Sequence, residues 1–302
     1  MRGRLIYGFT LFFSMLAALI AGGLVWGLFF CVFSVIGGNE YIALMRAKGM
    51  KPSPRIIRSM IVAFFVVASL PNIMPMFGTT LPVDFALAHF PLLLTVGVYA
   101  SFFRLLFRNE QPPATIADIA TTILGFIYVG WLMSHLVLLR NLVPPGSVPI
   151  TNPLQQPGLA YAWACLFAVI ATDVFAYFVG KLWGKHLLYP AVSPKKTVEG
   201  AIGGLLASMF WVTVVVYVSD HYLFPNQPFR GNLWQAPLMG AVVSIAAQLG
   251  DLCESLLKRD AGVKDSGNLI PGHGGILDRG DGLMFGAAIS FYWVSSVVLG
   301  IL

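Results

Sequence analysis

Residues 200–218 read GAIGGLLASMFWVTVVVYV, nineteen positions without a charged side chain. A bilayer's hydrocarbon core is about 30 Å thick and a helix rises about 1.5 Å per residue, so about twenty such residues cross it. Six more segments, 57–76, 84–106, 115–139, 159–180, 237–257 and 283–302, are of similar length and mostly apolar. The whole chain agrees. Of its 302 residues, 57% are hydrophobic and 11% charged, where a soluble domain carries about a quarter charged. So much apolar surface cannot be hidden inside one or two soluble domains of this length. The fold expected is all-α, a polytopic membrane helix bundle.

The stretch 5–36 is too long for one upright crossing, about 48 Å as a single helix. The Ala21-Gly22-Gly23 break near its middle predicts two short helices or a re-entrant hairpin. Its apolar core is far longer than that of a cleavable signal peptide. Charge decides the crossing number. If the first stretch crosses an even number of times from a cytoplasmic N-terminus, the inner loops collect seventeen of the nineteen basic residues, and only Arg140 and Arg230 fall outside. Such a bias fits the positive-inside rule. The expectation is about nine transmembrane helices, with the N-terminus cytoplasmic and the C-terminus outside. The net charge of +6 then belongs to cytoplasmic loops facing the lipid bilayer, and no nucleic acid partner is implied. Cys31, Cys165 and Cys253 lie in apolar segments, too far apart in sequence for a zinc pair or a disulfide framework. The outer loops 141–157 and 220–236 are rich in Pro and Asn and nearly free of charge, so they read as connectors.

Chemistry concentrates in residues 248–282, QLGDLCESLLKRDAGVKDSGNLIPGHGGILDRGDG. Asp251, Glu254, Ser255 and Lys258 follow i, i+3, i+4, i+7 spacing and share one face of the eighth helix. Asp260, Asp265, Asp278 and Asp281, with Lys258, Arg259, Lys264, His273 and Arg279, crowd the loop beyond. Acids at the end of a span are costly unless they meet a cation or partner. Gly267, Gly272, Gly274 and Gly275 permit a turn that presents amides to phosphate oxygens. His273 reads equally as an acid/base, a phosphate donor or a turn residue. A second cluster is SPKKT at 193–197. Lys195 and Lys196 are either an ordinary interfacial anchor or, with Ser193 and Thr197, an anion site at the start of the seventh helix. Asp173, inside the sixth span, is a functional candidate or a partner for Lys181. Hard oxygen ligands favour magnesium over zinc. Carboxylates that hold magnesium, with lysine and arginine around them, suit phosphoryl or nucleotidyl transfer. No Walker, HExxH, GxSxG or CxxC pattern occurs. The chain divides on this basis into N-terminal transmembrane helices with a basic cytoplasmic loop, 1–110, and a catalytic transmembrane region with its site on the cytoplasmic face, 111–302.

Ser255-Leu256-Leu257-Lys258-Arg259, Lys264-Asp265-Ser266-Gly267 and the run Pro271 to Arg279 with Asp281 together resemble the signature of the phosphatidate cytidylyltransferases, or CDP-diacylglycerol synthases. SPKKT followed by Glu199-Gly200 is similar to another family element, with Val198 where Trp is common. The resemblance implies that CTP and phosphatidic acid react to give CDP-diacylglycerol and pyrophosphate in phospholipid biosynthesis. It implies Mg2+ held by Asp251 and Asp278, with Asp281 next, and a monovalent cation such as K+ beside it. Lys258, Arg259, Lys264, Asp265, His273 and Arg279 join these as the catalytic set. Ser193, Lys195, Lys196, Thr197, Glu254, Ser255, Gly274 and Gly275 are the substrate-binding set. A homodimer and the inner membrane of a bacterium are further implications. Gly280 and Gly282 depart from the family's usual apolar or Thr residue and Ser, which loosens the turn around Asp281. Two alternatives stand beside this reading. One is an ion-coupled transporter, suited by Asp173 and the Gly/Pro-broken helices, and the other is a cytidylyltransferase for a different lipid phosphate.

Overall fold

The computed structural model describes residues 2–79, 81, 85–107, 114–145, 152–224, 229, 233–267 and 274–301. Among these, nine long helices follow one another: α1 Arg2–Ala21, α2 Gly23–Ala47, α3 Pro54–Ile73, α4 Phe85–Leu106, α5 Ile116–Asn141, α6 Pro157–Trp183, α7 Val198–Leu223, α8 Gln235–Asp260 and α9 Leu277–Val298. Helices α2 to α9 are each long and apolar enough to cross a membrane, and α1 adds the apolar stretch Gly8–Ala21. The expected all-α polytopic bundle is present. Its outer surface is apolar: Phe102 and Phe103 on α4 and Leu206 and Phe210 on α7 are each more than half exposed. Such faces are costly in water and suited to lipid.

Helix starts follow local chemistry. Pro54 and Pro157 occupy first-turn positions, where the missing amide costs nothing. Thr115 and Asp118 form a reciprocal capping box at the head of α5, with Thr115 N–H donating to Asp118 Oδ2 at 2.9 Å. The break between α1 and α2 falls where the glycines predict it, with Gly22 at φ +62°. Three expectations are corrected. The second N-terminal helix runs on to Ala47, well past residue 36. The SPKKT segment is not a plain lead-in to a helix. It is strand β2 (Ser193–Thr197), paired antiparallel with β1 (Leu187–Tyr189). The last helix begins at Leu277, so Asp278, Arg279 and Asp281 ride on its first turns and not on a loop.

The chain forms two compact units. The first comprises Met1–Ala18, Gly23–Leu138 and Leu257–Arg279, and the second Leu19–Gly22, Leu139–Leu256 and Gly280–Leu302. In the first, Gly38, Gly97 and Gly125 let helices approach closely. A methyl at Gly125 would stand 2.7 Å from the Tyr41 ring, and one at Gly97 would stand 2.7 Å from Phe126. Small residues at contacts replace the hydrophobic drive that lipid removes. Tyr41 Oη donates to the Thr121 carbonyl at 2.9 Å and Trp26 Nε1 to the Leu136 carbonyl at 3.0 Å, so the buried polar edges of these rings are satisfied. In the second unit α6 and α7 pack through Gly200, Gly203 and Gly204, and Thr172 Oγ1 on α6 donates to Ser244 Oγ on α8 at 2.8 Å. Arg140 is buried there. Its guanidinium donates to the carbonyls of Leu19 and Pro153 and to Gln156 Oε1, at 2.9–3.2 Å.

Candidate active site

A cavity of about 520 Å³ opens in the second unit between α6, the β1–β2 hairpin, the start of α7 and the middle of α8. Lys181, Lys195 and Lys196 line it together with Asp173 and Asp251. The hairpin brings the lysines in. Glu199 in the first turn of α7 accepts the amides of Lys185 and His186, and His186 Nδ1 lies 2.6 Å from Glu199 Oε1, which clamps the base of β1 to the helix. Thr197 caps α7, its hydroxyl accepting the Gly200 amide at 3.1 Å. Lys195 points from β2 as an exposed cation, while Lys196 Nζ is paired with Asp251 Oδ2. Ser193 begins the strand opposite Tyr189. The backbone around Thr197 is tight, since a methyl at Gly180 or Gly184 would stand 2.8 Å from Thr197 Oγ1. Glycine is therefore what lets α6 and the hairpin meet at the cavity wall.

The acids of this unit gather. Asp251, Glu254 and Asp173 are the electrostatic neighbours of Asp281, and Ser255 Oγ lies 3.5 Å from Asp251 Oδ1. Asp281 Oδ1 accepts the Gly282 amide at 2.7 Å. Glu254 is fully buried on α8. Gly250 permits this face to close on α9, because a methyl there would meet the Asp281 carbonyl at 2.6 Å. Among the described residues no three His, Cys, Asp or Glu side chains stand close enough to ligate one ion directly. The acids interact through charge and are not a preformed cage.

The first unit holds the other charged cluster. Asp278 accepts Lys258 Nζ at 2.6 Å on Oδ1, and on Oδ2 it accepts the amides of Ser266 and Gly275 and the Ser266 hydroxyl, at 2.7–2.9 Å. Both partners of the Lys258–Asp278 pair are nearly buried. Gly274 sits at φ +78°, and a methyl there would lie 2.5 Å from Asp278 Oδ2, so glycine is required. Glu40 on α2 completes the arrangement. It accepts the amides of Ile276 and Leu277 at 3.0 and 2.7 Å and lies 3.2 Å from Ser266 Oγ, so a carboxylate caps the positive end of α9.

The sequence-predicted residues thus divide. Ser193, Lys195, Lys196, Thr197, Asp251, Glu254, Ser255 and Asp281 belong to the second unit, and Lys258, Gly274, Gly275 and Asp278 to the first. Arg259, Lys264, Asp265 and Arg279 are exposed residues of the first unit, Arg259 donating to the Val263 carbonyl at 3.1 Å. His273 lies outside the described residues. Glu40 and the His186–Glu199 clamp were not anticipated. A single acid inside an otherwise apolar helix was the available signal for Glu40.

The description "Cytidylyltransferase family" belongs to the family model that matches residues 2–297. A phosphatidate cytidylyltransferase of Synechocystis sp. is 35% identical over 303 residues, covering 96% of this chain and 94% of that protein. The chloroplastic phosphatidate cytidylyltransferase 4 of Arabidopsis thaliana is 33% identical, over 98% of this chain and 74% of its own. A phosphatidate cytidylyltransferase of Staphylococcus haemolyticus is 47% identical over 131 residues, 43% of this chain and 47% of that protein. A family match of this extent takes in eight helices in full, all but the last residue of α9, and both charged clusters: the chain belongs to the cytidylyltransferase family.

Proposed function

We infer that this multi-pass membrane protein is a phosphatidate cytidylyltransferase, joining CTP to phosphatidate and releasing pyrophosphate. The observation that carries the chemistry is the cavity of the second unit, where Lys181, Lys195 and Lys196 meet Asp173 and Asp251. Three cations and a capped helix start suit a polyphosphate. The exposed Tyr177, Leu182, Trp183, Leu187 and Tyr189 around that region suit an acceptor whose acyl chains stay in lipid while its phosphate enters. The relatives matched over most of their length carry the same activity in their names. Membership of a transferase family decides against the ion-coupled transporter alternative.

In the reaction a phosphate oxygen of phosphatidate attacks the α-phosphorus of CTP in line. The bond from that phosphorus to the bridging oxygen of the β-phosphate breaks, and pyrophosphate leaves with the bond's electrons. The attacking phosphate is already ionised, so no general base is needed. Lys195, Lys196 and Lys181 neutralise and orient the phosphates, and their positive charge stabilises the negative charge that spreads over the transition state. Thr197 and Glu199 act through position, fixing the hairpin that carries the lysines. Magnesium fits the acids of this unit. Asp281 has one oxygen bonded to an amide and no further donor among the described residues, and Asp251 shares its carboxylate with Lys196 and Ser255. Held there by Asp251 and Asp281, the ion would supply charge neutralisation on the triphosphate. Asp278, with both oxygens taken by Lys258, Ser266 and Gly275, is better suited to holding Ser266 and Gly275 against the start of α9. The site belongs on the cytoplasmic face, where CTP is available.

The test is transfer from radiolabelled CTP to phosphatidate by the purified protein in nanodiscs with magnesium present. Labelled CDP-diacylglycerol is expected, and Asp251→Asn should lower its rate about 100-fold or more. An active wild type whose rate is unchanged in Asp251→Asn would remove the second-unit cavity from the mechanism. A wild type that labels only other lipid phosphates would replace the acceptor.

A further inference from the structure

The first unit contains a second cavity, of about 460 Å³, at the end of α2, the start of α3 and the end of α4. Arg46, Lys51, Arg55, Arg58 and Arg104 line it, all exposed. Among the described residues no acidic side chain lines it. Asp118, outside the lining, accepts the Lys51 amide on Oδ1 at 2.5 Å and the Thr115 amide on Oδ2 at 2.9 Å. Arg58 Nε donates to the neutral Asn39 Oδ1 at 2.7 Å. A basic loop that only sets topology has no need of shape, and its charges gain by spreading apart. Here four arginines from three helices, joined by Lys51 from the segment between α2 and α3, converge on one concave volume, where the guanidinium groups repel one another unless an anion is present.

Two features specify the anion. The start of α3 lines the cavity, and the N-cap Ser53 makes no side-chain bond to the helix's first amides, so the positive end of the helix adds to the cations. Arg104 is flanked by Phe103 and Leu106 at the end of α4 and by Phe107 just past it, which are 58%, 72% and 77% exposed. The cations therefore stand where the lipid-facing surface ends. We propose that this cavity binds the phosphate of an anionic lipid head group, with the lipid's chains against the apolar end of α4. Planar guanidinium groups suit phosphate oxygens pairwise. The site is independent of the nucleotidyl transfer assigned to the second unit.

The experiment places the full chain in nanodiscs of phosphatidylcholine, alone or doped with phosphatidylglycerol, which is not a substrate of the transfer. Native mass spectrometry reads lipid retained after release, and thermal unfolding reads stabilisation. The wild type should retain phosphatidylglycerol and melt higher in its presence. Arg55→Gln/Arg104→Gln should retain about a hundredfold less, about tenfold for each charge-assisted contact removed, while Arg55→Lys/Arg104→Lys keeps most of it. Arg46→Gln, at the end of α2, should lower retention by a smaller factor and serves if the double variant does not fold. Equal retention by the wild type and the Gln variants would overturn the site. Equal stabilisation of the wild type by inorganic phosphate in neutral nanodiscs would overturn the lipid assignment in favour of a soluble anion.

Discussion

Glu40 shows how far one side chain reaches in a chain with few charges. It lies on α2, yet its carboxylate takes the amides of Ile276 and Leu277 and stands beside the Ser266 hydroxyl, more than two hundred residues away in sequence. Helix α9 has no hydroxyl or amide cap of its own at this end, and the buried amides need an acceptor. Glu40 and Asp278 divide between them the Ser266 hydroxyl and the amides of Ser266, Gly275, Ile276 and Leu277, and Lys258 supplies the countercharge to Asp278. Replacing Glu40 by Gln keeps the shape but removes the charge and one acceptor oxygen. Charged hydrogen bonds contribute about 1.5–3 kcal/mol each, so Glu40→Gln should cost about 2 kcal/mol and lower catalytic turnover without abolishing it. Thermal unfolding in detergent beside the transfer assay reads both effects. An unchanged melting temperature would show that the carboxylate does not hold this segment.

Helices were legible because each needs only length and apolar character, and the ends of the seven unambiguous spans fall within six residues of those of α3 to α9, the start of α9 being the furthest off. What was lost depended on partners distant in sequence. Gly37-Gly38-Asn39 reads as an end to the second helix, yet α2 continues through it because Gly38 is a contact surface: a methyl there would stand 2.7 Å from Ile61 Cδ1. The hairpin escaped notice because three- and five-residue strands carry no countable alternation and β2 contains Pro194. The acids of α8 were visible as candidates, since charge within a span is expensive, whereas Glu40 lacked an obvious neighbour. The α6–α7 pair tests the packing account at this scale. A side chain at Gly204 would begin 2.6 Å from the Thr172 carbonyl oxygen and 3.1 Å from Ala176 Cβ, so backbone must move to admit it. Gly204→Val should cost about 1–3 kcal/mol through overpacking and reduce the yield of folded protein. Gly8→Val, with nothing within 4 Å of its new carbon, should change neither. A Gly204→Val protein as stable as the wild type would mean that α6 and α7 do not need glycine to pack.

For the whole molecule, the distribution of charge makes a claim about orientation that the helix lengths do not. Lys48, Lys51, Arg55 and Arg58 follow the end of α2, Arg104 is in the last turn of α4, Lys181 is in the last turn of α6 and Lys185, Lys195 and Lys196 follow it, whereas the segment between α5 and α6 has no charged residue after Arg140. Arg140 itself is buried against carbonyls and contributes nothing to a surface potential. Basic segments are retained on the cytoplasmic side because moving them across the membrane during insertion is unfavourable. The hairpin with its lysines should therefore face the cytoplasm, and the segment before α6 should face outward. Leu154 and Lys185 are both exposed and lie on the two sides of α6, which makes them a matched pair of probes. In a chain whose Cys31, Cys165 and Cys253 are replaced, Leu154→Cys should react with a membrane-impermeant maleimide in intact cells. Lys185→Cys should react only after the membrane is opened. The reverse pattern would put the lysine-lined cavity on the side away from cellular CTP, and the nucleotidyl transfer proposed for it would have no substrate there.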